Sequence, residues 1–262
     1  MPSLLMVIVF WNCVIKKSSG KCQETSIQYC PNLISKSKTA IYAVCPKCHC
    51  TYAPLYDPGD SIPQYSSHCT HALNAELGPC GTQLLSNSKA SSSSKPVKPF
   101  IYHSFHDYLA SFLSCPDLET LMDKFCNNLN DSLGSPPLEL VYDVWEAQFL
   151  WMFDGPTKGV PFVCQSGGEG RYAFVINIDF FNIEGMHIRG TSASCGLISL
   201  ACLNLPPQIR YKPEYMYVCI IPGPHQPSTV ALNHYLRPLV DDMFESWTWG
   251  VWYSKTALQP QG

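Results

Sequence analysis

The sequence predicts an α+β protein, and three observations carry that reading. Three apolar runs follow one another between residues 171 and 223, with turn-forming residues between them. A stretch with helical periodicity comes directly after the third run, and a cysteine-rich segment with metal-like spacing lies well ahead of the first. At 262 residues the chain is long enough for one or two domains and a sizeable core.

The first run, Tyr172-Ala173-Phe174-Val175-Ile176-Asn177-Ile178-Asp179-Phe180-Phe181, is β-branched and aromatic, and it reads as a buried strand carrying one carboxylate. The second, 195–205, is closed by Pro206-Pro207, and the third, 215–221, by Pro222-Gly223-Pro224. Three strands in succession predict an antiparallel meander. Ser228 or Thr229 then serves as N-cap to a helix with Ala231, Leu232, Tyr235, Leu236, Leu239, Val240, Met243, Phe244 and Trp247 at helical spacing.

Strand, strand, strand, helix, with an acid on the first strand, is the opening of a ribonuclease-H-like domain. In that fold several acids jointly hold two divalent metals for phosphodiester cleavage. Residues 151–262 are therefore expected to form an incomplete domain of this kind, with Asp179 on its first strand. Glu184, Asp241, Asp242 and Glu245 are candidate helpers, although Asp241 and Asp242 read as a solvated helix face. His187 and His225 read as loop histidines.

Composition narrows the alternatives. Hydrophobic residues make up 46% of the chain, which supports globularity, whereas charged residues make up only 14%, below the usual quarter. A net charge of −3 gives no general electrostatic attraction to nucleic acid, so any DNA contact has to come from local basic surface. The 14 cysteines do not form a secreted disulfide pattern, because the chain is long and five of them fall between residues 45 and 80. A reducing compartment follows.

Taken in order, residues 1–40 are expected to be poorly ordered beyond about residue 15. The apolar head Leu4-Leu5-Met6-Val7-Ile8-Val9-Phe10-Trp11 has no basic residue before it, unlike a secretory signal. It falls short of the roughly 20 apolar residues that span a bilayer; a buried helix or strand fits it better. Residues 41–85 form a Cys-rich module in which Cys45-Pro46-Lys47-Cys48 is followed, much later, by Cys69 and, after a gap of ten residues, Cys80. Two thiolate pairs on turn-forming segments suit a structural, tetrahedral Zn²⁺. The second gap is wider than usual, and Cys50, His49, His68 or His71 could replace one ligand.

Residues 86–99, rich in Ser with two prolines, read as a linker whose Lys89, Lys95 and Lys98 are solvated. Residues 100–150 are expected to be a helical module. One helix opens at Tyr102 and runs to about Leu113, and a second follows Cys115-Pro116 with Leu118, Leu121, Met122 and Phe125 on one face. Asp143 and Glu146 read as the solvated edge of a short helix around a buried Trp145. Gly167-Gly168-Glu169-Gly170 lacks the Gly-Lys-Ser/Thr ending of a phosphate loop and leads into a strand.

One resemblance covers 171–257. The segments Asn177-Ile178-Asp179-Phe180-Phe181-Asn182, Cys202-Leu203-Asn204-Leu205-Pro206-Pro207 and Ile221-Pro222-Gly223-Pro224 occur in order. Leu236-Arg237-Pro238-Leu239-Val240-Asp241-Asp242 and Trp249-Gly250-Val251-Trp252-Tyr253-Ser254-Lys255-Thr256-Ala257 follow. Together they resemble the catalytic region of CACTA-type (En/Spm-like) transposases in their fungal form. Cys45-Pro46-Lys47-Cys48, Pro79-Cys80-Gly81 and Val141-Tyr142-Asp143-Val144-Trp145 are similar to elements ahead of that region in the family.

The resemblance implies a zinc-ribbon-like module with Cys45, Cys48, Cys69 and Cys80 as zinc ligands. It implies that Asp179 is the first catalytic acid of a DDE/D site that uses Mg²⁺ or Mn²⁺ to cut and join DNA. The next acid would lie beyond residue 262, so the chain is expected to be a transposase fragment, truncated within its catalytic domain and not competent alone. A non-catalytic DNA- or protein-binding derivative and a non-functional relic are the alternatives. The implied partners are transposon-end DNA and other transposase chains, with no membrane. The implied location is the nucleus, or the cytoplasm for a relic. A half-built sheet is expected to leave a strand edge unpaired and to lower solubility.

Overall fold

The computed structural model describes residues 5–14, 39–72, 78–86, 95–164, 169–182 and 194–260. In chain order the elements are strands β1 (Leu5–Val14), β2 (Thr39–Val44), β3 (Thr51–Tyr52) and β4 (Pro99–His103), then helices α1 (Phe105–Leu113) and α2 (Pro116–Asp131). A 3-10 turn at Val144–Glu146 and the short helix α3 (Gln148–Trp151) lead to β5 (Glu169–Asn182) and β6 (Ser194–Cys202). The short helix α4 (Pro207–Arg210), a second 3-10 turn, β7 (Tyr217–Ile221) and α5 (Thr229–Thr248) complete the order. The α+β class is as expected.

The predicted meander is present: β5 pairs with β6 and β6 with β7, all antiparallel, and α5 follows. Alternate residues of β5 enter two different cores, because successive side chains on a strand point to opposite faces. Tyr172, Phe174, Ile176 and Ile178 join Phe105, Leu109, Met122, Tyr217, Tyr235, Leu239 and Met243 on one face. Ala173 and Val175 join Trp145, Leu150, Phe162, Val163 and Leu203 on the other. Burial on both faces explains why β5 reads as a continuous apolar run.

The amino-terminal part changes the expected three-stranded sheet. The apolar head, read as a buried helix or strand, is a strand: Leu5–Val14 forms β1 and pairs antiparallel with β5, from Leu5 opposite Ile178 to Val14 opposite Glu169. The sheet therefore has four strands in the order β1-β5-β6-β7; of the two meander edges at which an open strand was expected, that of β5 is occupied by β1, while β7 stands at the edge of this sheet. Residues 15–38 lie outside the described residues.

The expected helix start at Tyr102 is strand instead. Pro99–His103 pairs with β2, burying Phe100 and Tyr102, and α1 begins only after the N-cap Ser104. The end of the expected linker is likewise paired, with Ser86 N–H donating to Lys95 O at 2.8 Å and Val97 N–H to Leu84 O at 2.8 Å. A second sheet, β3-β2-β4, thus joins the cysteine module to the helical module. The two prolines near this segment masked its strand character, because β2, its partner, is far away in sequence.

The motif residues have identifiable structural roles. Asn204 is fully buried; its Oδ1 accepts from Ala173 N–H at 2.8 Å and its Nδ2 donates to Arg171 O at 2.9 Å, which extends the β5–β6 pairing past the strand end. Gly223 passes so close to Ser194 that a Cβ would fall 2.2 Å from its carbonyl oxygen. Gly250, at φ 75, ends α5 with its N–H on Ser246 O at 3.0 Å. Beyond it Tyr253 donates its hydroxyl to His106 O, and Ala257 N–H reaches Leu113 O, so the tail packs back on α1.

Candidate metal centre

Cys45 and Cys48 sit on the turn that connects β2 to β3. The turn closes through Cys45 N–H to Cys50 O at 2.9 Å and His49 N–H to Cys45 O at 3.0 Å. His49 adopts φ 63, the left-handed region, and its Nδ1 lies 3.0 Å from the hydroxyl of buried Tyr235 on α5. A tight turn of this kind aims two sulfurs at one point.

Cys69 and Cys80 reach the same point by a different route. The segments around them pair as antiparallel strands: Cys69 N–H donates to Thr82 O at 2.8 Å, Gly81 N–H to Cys69 O at 2.9 Å and Cys80 N–H to His71 O at 2.7 Å. Cross-strand neighbours lie about 5 Å apart whatever the length of the loop between them. The ten-residue spacing that looked too wide for a knuckle is thus bridged by a ladder.

The four sulfur atoms all lie within 4.8 Å of one another. Cys45 Sγ is 3.8 Å from Cys80 Sγ, and Cys48 Sγ is 3.4 Å from Cys69 Sγ. Four thiolates bonded to Zn²⁺ at about 2.3 Å place their sulfurs about 3.8 Å apart, so the donor set fits such an ion. Polar groups surround the sulfurs and can hold them in place around an ion. Cys48 N–H points to Cys45 Sγ at 3.5 Å, the Tyr52 hydroxyl lies 3.2 Å from Cys69 Sγ, and the Thr82 hydroxyl lies 3.1 Å from Cys80 Sγ.

Electrostatics divide the thiols. Burial pushes the Cys48 and Cys69 thiols up, whereas hydrogen bonds from the Thr82 side chain and backbone hold Cys80 down at about 6. At neutral pH a cluster of this kind offers a ready thiolate at Cys80 and releases protons from its buried members when a cation binds. Lys98, beside Cys45, is pushed down by its own burial while the Cys45 charge acts in the opposite sense.

Of the alternative ligands, His68 is exposed and its Nδ1 lies 3.0 Å from the Ser67 hydroxyl. Cys50 and His71 stand outside the four-sulfur group and lie instead with His234 of α5, their ligand atoms within 4.8 Å of one another.

Asp179 is exposed near the end of β5, opposite Leu197 of β6, and its Oδ1 accepts from Phe180 N–H at 2.8 Å. By strand alternation it shares the face of Ala173 and Val175, away from the face packed on Tyr235 and Leu239 of α5. Among the described residues it belongs to no group of three candidate ligands, so it does not by itself fit a two-metal site. Glu184 and His187 lie outside the described residues.

Asp242 is not a solvated helix face: its Oδ2 accepts from the Tyr102 hydroxyl at 2.6 Å and from Phe105 N–H at 3.0 Å, which satisfies the first turn of α1. Asp241 is exposed and pairs with Arg237 at 3.6 Å. Asp143 and Glu146 are structural as expected, yet Asp143 is no free edge. Its carboxylate takes both guanidinium nitrogens of buried Arg210 at 2.8 Å, while Glu146 accepts from Tyr142 N–H at 2.6 Å.

Neither a family model, a curated protein nor a solved structure gives a match to this chain. Among the described residues no helix is long and apolar enough to cross a membrane.

Proposed function

We propose that Cys45, Cys48, Cys69 and Cys80 hold a structural Zn²⁺, in a chain of CACTA-transposase ancestry that does not cut DNA by itself. The observation that carries the zinc assignment is the convergence of four sulfurs, drawn from a turn and a strand pair, to within 4.8 Å of one another. Four thiolates favour a soft or borderline ion over Mg²⁺ or Ca²⁺, and four protein ligands leave no open position for chemistry.

The transposase ancestry is supported by the quoted motifs and by a strand–strand–strand–helix order with Asp179 on the first strand. The non-cutting reading is supported by the surroundings of that acid. Asp242 is committed to Tyr102 and α1, Asp241 is paired with Arg237, and β1 occupies the edge of β5 up to Ile178, the residue before Asp179. What remains for such a chain is binding, to transposon-end DNA or to sister transposase chains in the nucleus.

Metal content and nicking of supercoiled plasmid by the full chain test both parts. Cys45→Ser is expected to lower zinc by one ion per chain and to lower the melting temperature, and Mg²⁺ or Mn²⁺ is expected to support no nicking. Unchanged zinc and melting temperature would remove the metal centre. Mg²⁺-dependent nicking lost in Asp179→Asn would restore the enzyme reading. Duplex binding that weakens steeply with salt and ignores Asp179→Asn identifies DNA as the partner.

A further inference from the structure

Cys50, His71 and His234 have no role in the four-sulfur centre, yet they converge. The Cys50 sulfur and one ring nitrogen from each histidine lie within 4.8 Å of one another, and all three residues are half-buried. The His71 and His234 rings meet edge-on with their centroids 5.0 Å apart. We propose that these three residues form a second metal site, separate from the four-cysteine centre, which clamps the cysteine module to helix α5.

The donors determine the class of ion. One thiolate and two imidazoles suit Zn²⁺ or a similar borderline divalent ion such as Co²⁺, and they disfavour Mg²⁺ and Ca²⁺, which take oxygen ligands. Three protein ligands leave one position of a tetrahedron for water or an outside ligand, unlike the closed four-cysteine centre.

The backbone holds each ligand in place before any ion arrives. Cys50 O accepts from Cys45 N–H at 2.9 Å, closing the β2–β3 turn. His71 is held from both sides: its N–H donates to the Tyr52 hydroxyl at 3.1 Å and its O accepts from Cys80 N–H at 2.7 Å. His234 O accepts from the Thr51 hydroxyl at 2.9 Å, one residue beyond Cys50, and the next helix residue, Tyr235, meets His49. Cys50 follows ligand Cys48 by two residues and His71 follows ligand Cys69 by two, so the two sites share a frame on the module side. Only His234 comes from the other body of the molecule. An ion here therefore joins segments some 160 residues apart in sequence, where a cross-link removes much conformational freedom from the unfolded chain.

Titration of the metal-free full chain with Co²⁺, followed by its visible and thiolate charge-transfer absorption, tests the site. The expected result is two equivalents per chain, with His234→Gln taking one and keeping the four-thiolate spectrum. A wild-type chain that takes one equivalent, or a His234→Gln chain that still takes two, overturns the proposal. If His234→Gln loses both, Cys50→Ser on the other side of the site decides. Loss of only the second equivalent supports a separate site, whereas loss of both or neither overturns it. The four-cysteine assignment stands or falls on Cys45→Ser, so the two failures are distinguishable.

Discussion

Asp123 on α2 lies under the sheet, where its Oδ1 accepts the Tyr172 hydroxyl at 2.9 Å. Burial pushes its carboxyl up from 3.8 to about 6, with the Tyr172 hydrogen bond acting against that shift. An acid whose folded pKa lies above its unfolded value binds its proton more tightly when folded. Its contribution to stability is therefore complete below about pH 4 and is lost as the pH rises through about 6. Asp123→Asn keeps the acceptor and removes the titration. Denaturant unfolding is expected to show wild type losing stability relative to this variant between pH 4 and 6, by no more than about 2 kcal/mol because solvent reaches part of the group. A pH-independent difference would contradict the burial argument. Nothing in the sequence around Asp123 marks it, since its environment comes from β5. Arg210 is hidden for a similar reason: the charged partner of its guanidinium, Asp143, lies 67 residues away in sequence.

At the scale of elements, local pattern sufficed where an element is stabilised by its own sequence. The runs that become β5, β6 and β7 are bounded by glycine and proline, and Ser228 caps α5 with its side chain on Ala231 N–H at 3.2 Å. On α5, Tyr235, Leu239 and Met243 repeat every four residues into the core, as their spacing implied, whereas Val240 and Phe244 face solvent. The strand that pattern missed depends on a distant partner, since β4 needs β2, and β1, which pattern left as either helix or strand, is decided by β5. The pairing of β1 with β5 has a direct test, because a central strand stripped of one neighbour presents a row of unpaired N–H and C=O groups. Deletion of residues 1–14 is expected to convert the protein to concentration-dependent oligomers in size-exclusion chromatography. A deletion variant that stays monomeric with an unchanged melting temperature would mean that β1 does not protect that edge.

For the whole molecule, the cysteine module is part of the fold rather than an appendage. It shares a sheet with β4, and it meets α5 through His49, Thr51, His71 and their partners Tyr235 and His234. The four cysteines were readable from the Cys45-Pro46-Lys47-Cys48 turn and the Cys69 and Cys80 pair. The cross-strand ladder that makes the second pair workable was not, and neither was His234, which lies on a helix far from its companions. A metal at the cysteines would fix the turn and the ladder to each other and so hold the surface that α5 packs against. Zinc K-edge X-ray absorption on the full chain carrying His234→Gln, loaded with one equivalent of Zn²⁺, tests this most directly. Four sulfur neighbours at about 2.3 Å are predicted; a first shell of nitrogen and oxygen, or zinc lost on simple dialysis, would contradict the account.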